Sequence, residues 1–166
     1  MNSENINQIN NIMDNNTTQQ INESTSDERL LGMLSHLSIF FGGIILPIIL
    51  WATQKDKSKF VSYNSLLALF YHISYTVLII LYVIFMVVIL LLMGVGFGSM
   101  HKHSGGDMPG IMIIFMIFLY AGMFLLIFAG IGYGIYLAIK TYQGKLVSIP
   151  FLGKVVYKKV YGTDRL

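Results

Sequence analysis

The sequence predicts an all-α integral membrane protein in which three helices cross the bilayer as a bundle. Two observations carry this prediction. The 166-residue chain is 55% hydrophobic and only 11% charged, less than half the charged fraction of an ordinary soluble domain. Residues 30–54, 60–101 and 108–139 contain no Asp, Glu, Lys or Arg, and each stretch exceeds the roughly 20 apolar residues that a spanning helix needs.

The N-terminal segment, residues 1–24, is rich in Asn, Gln, Ser and Thr and predicts a disordered polar tail. The transmembrane domain is expected over residues 25–140. Its first helix should begin at a capping box, because Glu28 follows Thr25 by three residues just before an apolar run.

The first span is expected at about residues 30–52, and it contains three residues that disturb helices. Gly42, Gly43 and Pro47 lie near its middle, so the sequence predicts a kinked helix. A re-entrant path for this helix, which would move the N-terminus to the other side of the membrane, stays open.

The second and third spans are expected at about residues 66–97 and 110–139, where neither proline nor charge interrupts the apolar run. Residues 141–166 form a basic tail, in which helical spacing predicts an amphipathic interfacial helix at about 151–161. An irregular solvated tail is the alternative. The lysines expected to face anionic lipid headgroups are Lys154, Lys158 and Lys159.

The basic residues predict the orientation of the spans, because positive charge accumulates on the cytoplasmic side. Nine of the eleven Lys and Arg residues lie in the first loop and in the tail from Lys140 onward, whereas residues 1–29 carry five acids and one base. The prediction is a multi-pass plasma-membrane protein with its N-terminus outside and its C-terminus in the cytoplasm.

Small residues at four-residue spacing predict close helix packing. Gly130, Gly134 and Ala138 form such a ridge on the third helix, and Gly94 and Gly98 repeat the spacing on the second. The partner is either another helix of the same chain or a second copy of it, so a homo-oligomer or a complex with other membrane proteins stays open.

Polar side chains inside the apolar stretches are expected to face the interior of the bundle, because they are costly in hydrocarbon. These are His36 on the first helix and Ser65, His72 and Thr76 on the second. In three straight spans the two histidines would lie roughly 13 Å apart along the bilayer normal. The sequence therefore favours single histidines, each bonded to a neighbouring helix, over a proton relay or a metal pair. A re-entrant first helix would instead bring His36 and His72 together.

Little in the sequence points to chemistry. His101 and His103 form a His-x-His motif, which is a weak candidate for copper or zinc. All eight acids lie in tails or loops, and cysteine is absent, so no catalytic residue, enzyme activity or cofactor is predicted. Nucleic-acid binding is not expected either, because topology and lipid headgroups account for the basic residues.

Three groups of motifs match a known family. They comprise residues 27–31, 34–38, Gly42-Gly43, Pro47 and Trp51, then residues 55–58, 60–61 and Ala68, and finally residues 138–140, Gly144 and Pro150. Over roughly residues 27–151 the chain resembles the bacterial small membrane proteins that are grouped with the Tic-type import-channel subunit of the chloroplast inner envelope. The resemblance implies an all-helical membrane domain and does not imply protein import.

The sequence therefore favours a non-enzymatic membrane protein that acts as an assembly or interaction module in the bilayer. Two alternatives remain open. One is a component of a transporter or channel that resembles an import subunit, and the other is a self-protection protein of the immunity type.

Overall fold

A computed structural model describes residues 4–5, 7–8, 24–41, 43–101 and 110–162, without the side chains of 95–101 and 111. Most of the polar tail for which disorder is predicted, residues 1–24, lies outside this described part of the chain.

The described chain is helical and contains no β-strand, which confirms the all-α prediction. Its elements are α1 (Ser26–Leu37), a 3-10 helix (Ser38–Phe40), α2 (Ile45–Gln54), α3 (Lys59–His101), α4 (Gly110–Tyr142) and α5 (Leu152–Tyr161).

The first helix begins at the predicted capping box. The backbone N–H of Glu28 donates to Thr25 Oγ1 at 3.3 Å, and the backbone N–H of Thr25 donates to Glu28 Oε2 at 2.8 Å. This arrangement satisfies two backbone donors that a helix N-terminus would otherwise leave unpaired.

The predicted kink is a complete break between α1 and α2. Gly43 adopts a φ of 52°, a left-handed conformation that glycine enters at low cost. The chain then starts a new helix, with Pro47 in its first turn, where a missing N–H removes no hydrogen bond.

Among the described residues, two helices rather than three are long and apolar enough to cross a membrane: Lys59–Gly94 and Met112–Tyr142. The structure therefore supports two candidate spans rather than the predicted three. The cause is the break, because α1 and α2 contain only 12 and 10 residues. They reach about 18 and 15 Å, roughly half of the hydrocarbon thickness.

The chain divides into two compact units: unit 1 comprises Met1–His72 and Tyr133–Leu166, and unit 2 comprises Ile73–Gly132. The apolar core of unit 1 includes Tyr63 and Leu67 of α3, both fully buried. The Tyr63 hydroxyl donates to the carbonyl of Val147 at 2.9 Å, which fixes the segment that leads to α5.

Helix α5 is amphipathic, but most of its apolar face packs inside unit 1. Val156 is fully buried and Tyr157 nearly so, both against Tyr63 and its neighbours. Only Phe151 and Val155 remain exposed apolar residues on this segment, at 89% and 62%. A partner inside the unit therefore covers most of the apolar face of this helix, and its interfacial location stays a prediction.

Unit 2 is an antiparallel pair of helices. The Tyr75 hydroxyl of α3 donates to the Ile127 carbonyl of α4 at 3.2 Å, and the Tyr82 hydroxyl donates to the Leu119 carbonyl at 2.7 Å. As residue numbers rise along α3, those of the partners on α4 fall, so the two helices run in opposite directions.

The apolar side chains of unit 2 mostly face outward. In the most apolar windows of the two long helices, only 6% and 11% of residues are buried. A core helix of a soluble protein would bury such residues, whereas a helix surrounded by lipid exposes them. The exposed apolar residues of unit 2 include Val77, Leu81, Phe85, Leu92, Ile114, Phe118, Leu125 and Phe128.

Candidate functional site

Unit 1 contains a cluster of buried polar side chains, which we call the polar core. Its members are at most 3% exposed and belong to α1, the 3-10 helix, α3 and α4. They are Ser35, His36, Ser38, Asn64, Ser65, His72 and Thr141.

Small residues allow the helices around the polar core to approach one another. A Cβ atom on Gly32 of α1 would lie only 2.7 Å from Thr141 Cγ2 of α4. A Cβ atom on Gly134 would lie 3.7 Å from the Tyr71 ring and 4.0 Å from the His36 carbonyl. Part of the predicted glycine ridge of α4 therefore packs against helices of the same chain.

A short chain of hydrogen bonds joins α4 to α3. The Thr141 hydroxyl donates to Asn64 Oδ1 at 2.9 Å, and Asn64 Nδ2 donates to the Phe60 carbonyl, also at 2.9 Å. All three partners are almost fully buried, so these bonds offset the cost of removing the amide and the hydroxyl from solvent.

A second set of hydrogen bonds holds the turn between α1 and α2. The Ser38 hydroxyl lies 2.7 Å from the Ser35 carbonyl and 2.9 Å from the Gly43 carbonyl. His72 Nδ1 lies 3.2 Å from the same Gly43 carbonyl. Because a carbonyl only accepts, Nδ1 carries the proton, and Nε2 of a neutral His72 is left as an acceptor.

Four polar atoms of the core have no hydrogen-bond partner among the described residues. They are both ring nitrogens of His36, Nε2 of His72 and the hydroxyl oxygen of Ser65. The Asn64 amide and the His72 ring lie next to His36, yet outside hydrogen-bonding geometry. Unpaired buried atoms of this kind are costly, and a water molecule is the smallest guest that would satisfy them.

The structure thus brings His36 and His72 together. Three straight spans would have kept them apart, and the break between α1 and α2 removes that separation. The described contacts of the two rings involve no carboxylate, and the described residues hold no group of three His, Cys, Asp or Glu that could bind a metal ion.

The other predicted site residues are dispersed. Thr76 is exposed, and a Cβ atom on Gly94 would meet nothing within 4 Å, whereas one on Gly130 would overlap the Tyr75 ring. The three lysines of α5 are exposed. The surroundings of Gly98, the side chain of His101 and the whole of His103 lie outside the described part of the chain.

Sequence reasoning missed the pairing of tyrosines with glycines in unit 2. Tyr75 and Tyr82 lie seven residues apart on α3, and Gly130 and Gly122 lie eight apart on α4. Each tyrosine ring occupies the space over one glycine. The matching spacing of large and small residues was the signal that could have identified this contact.

Two titratable groups outside the spans, Glu28 and Tyr161, have pKa values shifted from their ordinary ones. Partial burial of Glu28 tends to raise its pKa, but hydrogen bonds from Ser58 and Thr25 outweigh that effect, so the pKa lies below its ordinary value. Burial raises the pKa of Tyr161, with smaller contributions from Tyr157, Tyr63 and Glu28.

Together these features define a small, all-helical protein of the membrane class, with an outward-facing apolar helix pair and a buried polar core. The chain belongs to the magnetosome magnetite crystal formation protein family (MamF/MmsF), whose sequence profile matches residues 27–156. The match runs from the start of α1 into α5.

Comparison with curated proteins and with solved structures finds no match for this chain. The family match supports the expected membership of a family of small bacterial membrane proteins. It does not support the expected relation to the Tic-type import subunit, because the profile that matches is that of the magnetosome family.

Proposed function

We propose that this protein is a non-enzymatic membrane module that acts in the formation of a magnetite crystal by assembling with itself or with other membrane proteins. The observation that carries the proposal is the family match over residues 27–156. The outward-facing apolar surface of unit 2 supports the membrane location, because only lipid or another membrane helix would cover it.

The two long helices suggest how the module crosses the bilayer. Within unit 2 their outward-facing parts are residues 73–94 and 112–132, which reach about 33 and 32 Å and so match the hydrocarbon thickness. Two crossings leave both chain ends on one side. Of the eleven basic residues, only Lys102 then lies on the other side, so both termini should be cytoplasmic.

The test is a replacement experiment in a magnetite-forming bacterium whose own member of the family has been deleted. The expected result is that this chain restores the crystal size of the parent strain, measured by electron microscopy. Gly94→Ala should restore it equally, because the added methyl group meets open space. The proposal is overturned if the chain reaches the membrane in normal amounts and crystal size stays that of the deletion strain.

The transport and self-protection alternatives stay predictions. A transport role would show itself in the same strain as a change in the uptake of a solute with crystal size unaltered.

A further inference from the structure

We infer that the turn between α1 and α2 is a third membrane element, which enters the lipid and returns on the same side. The inference rests on the membrane location proposed above and adds a contact that the two spans do not include. Its occupant is the acyl region of the bilayer, and its surface is an apolar tip. The tip comprises Phe40, Phe41, Ile44, Ile45, Ile48 and Ile49, which are 51%, 83%, 41%, 64%, 42% and 51% exposed.

Part of the irregular backbone that the structure describes at the tip is internally paired. The N–H groups of Phe41 and Gly43 both donate to the Ser38 carbonyl, at 3.0 and 2.7 Å. The Gly43 carbonyl accepts from His72 Nδ1 at 3.2 Å and lies 2.9 Å from the Ser38 hydroxyl. These bonds lower the cost of placing non-helical backbone in lipid, where unpaired polar groups are expensive.

The charge pattern around the tip is that of a segment anchored at both ends. No Asp, Glu, Lys or Arg occurs over residues 30–54. Arg29 precedes this stretch, while Trp51 and Lys55 lie at its other end, where aromatic and basic side chains meet the membrane–water interface. The helical rise from Arg29 to Leu37 is about 12 Å and that from Trp51 to Ile45 about 9 Å, which takes the tip into the acyl region of one leaflet.

A second copy of the chain is the competing occupant of the tip. A protein partner is less suited, because protein interfaces surround an apolar centre with a polar rim, and residues 39–52 contain no polar side chain.

The experiment uses single cysteines, since the chain has none. Phe41→Cys and Ile45→Cys are compared with Lys57→Cys, a control in the exposed polar loop after α2. Each variant is placed in phosphatidylethanolamine–phosphatidylglycerol vesicles and treated with a membrane-impermeant maleimide. The two tip variants should not be labelled in vesicles that give the reagent access to both sides, because a thiol in lipid does not ionise. They should be labelled after the vesicles are dissolved in detergent. Lys57→Cys should be labelled in the vesicles and in detergent.

A lipid-attached quencher separates the remaining outcomes. A fluorophore on Phe41→Cys should be quenched by lipids with a nitroxide in mid-chain, as should one on Leu81→Cys, an exposed position of unit 2. Quenching of Leu81→Cys alone would overturn this inference and leave the two spans intact. Failure to quench either would overturn the membrane location itself. If Phe41→Cys were protected from labelling but not quenched, and a crosslinked dimer formed, the tip would contact a second copy of the chain. That result would also overturn the inference.

Discussion

At the scale of single residues, glycines set how closely the helices of unit 1 pack. Gly32 faces Thr141, and an added Cβ atom would lie 2.7 Å from the threonine methyl group. Gly94 has open space at the same position. The two glycines look alike in the sequence, so the difference between them depends on tertiary contacts alone.

Gly32→Ala should therefore destabilise unit 1. Overpacking typically costs about 1–3 kcal/mol, which exceeds the gain of about 1 kcal/mol from replacing a helical glycine by alanine. Gly94→Ala is the control and should be neutral or slightly stabilising. The stability of both variants is measured by unfolding in detergent micelles, followed by circular dichroism. Equal stability of the two variants would contradict the close contact between Gly32 of α1 and Thr141.

The two buried histidines should respond differently to the same substitution. His36 has no hydrogen-bond partner among the described residues, whereas His72 bonds to the Gly43 carbonyl. His36→Phe removes two unpaired nitrogens, so it should leave stability equal or higher. His72→Phe removes one of the two groups that lie within hydrogen-bond distance of the Gly43 carbonyl, the other being the Ser38 hydroxyl, and should cost about 0.5–1.5 kcal/mol. The larger ring must also be accommodated at each site, so the two variants are compared with each other as well as with the unchanged protein. A loss of the same size in both variants would mean that His36 also has a partner, such as a bound water.

At the scale of elements, the sequence predicted continuous helices well and interrupted ones poorly. Helices α3 and α4 follow from long apolar runs, and the start of α1 follows from the capping box. The break at Gly43 was read as a kink, because an apolar run has the same hydropathy whether it continues or turns back. The amphipathic helix α5 was predicted from its spacing, but not its packing against Tyr63 and Leu67, because no sequence pattern shows that contact.

The N-terminus of α1 should make stability dependent on pH. The pKa of Glu28 is lowered in the folded protein. Its contribution is therefore fully present above the ordinary glutamate pKa, about 4.3, and is lost as pH falls through the lower folded value. Glu28→Gln should unfold more easily than the unchanged protein at pH 6, and the difference should shrink as the pH is lowered below 4. Asp27→Asn, an exposed neighbour without a described hydrogen bond, is the control. A difference independent of pH would contradict a role for the carboxylate.

At the scale of the whole molecule, the number of crossings decides which segments share a side of the membrane. Three crossings would separate the start of α1 from the loop after α2, because α1 and α2 would form one span between them. Two crossings place both on the same side and leave only the segment between α3 and α4 opposite. The uninterrupted apolar surfaces of α3 and α4, and the short lengths of α1 and α2, favour the second arrangement.

Cysteine accessibility distinguishes the two arrangements directly. Asp27→Cys, Lys57→Cys and Lys102→Cys are each introduced into the cysteine-free chain and treated with an impermeant maleimide in right-side-out and inverted membrane vesicles. Residues 27 and 57 are exposed, so both should react in inverted vesicles only, and residue 102 should react in right-side-out vesicles only. Three spans would instead pair residue 27 with residue 102. That result would mean that the segment from α1 to α2 crosses the bilayer, and it would exclude both the two-span topology and the re-entrant turn.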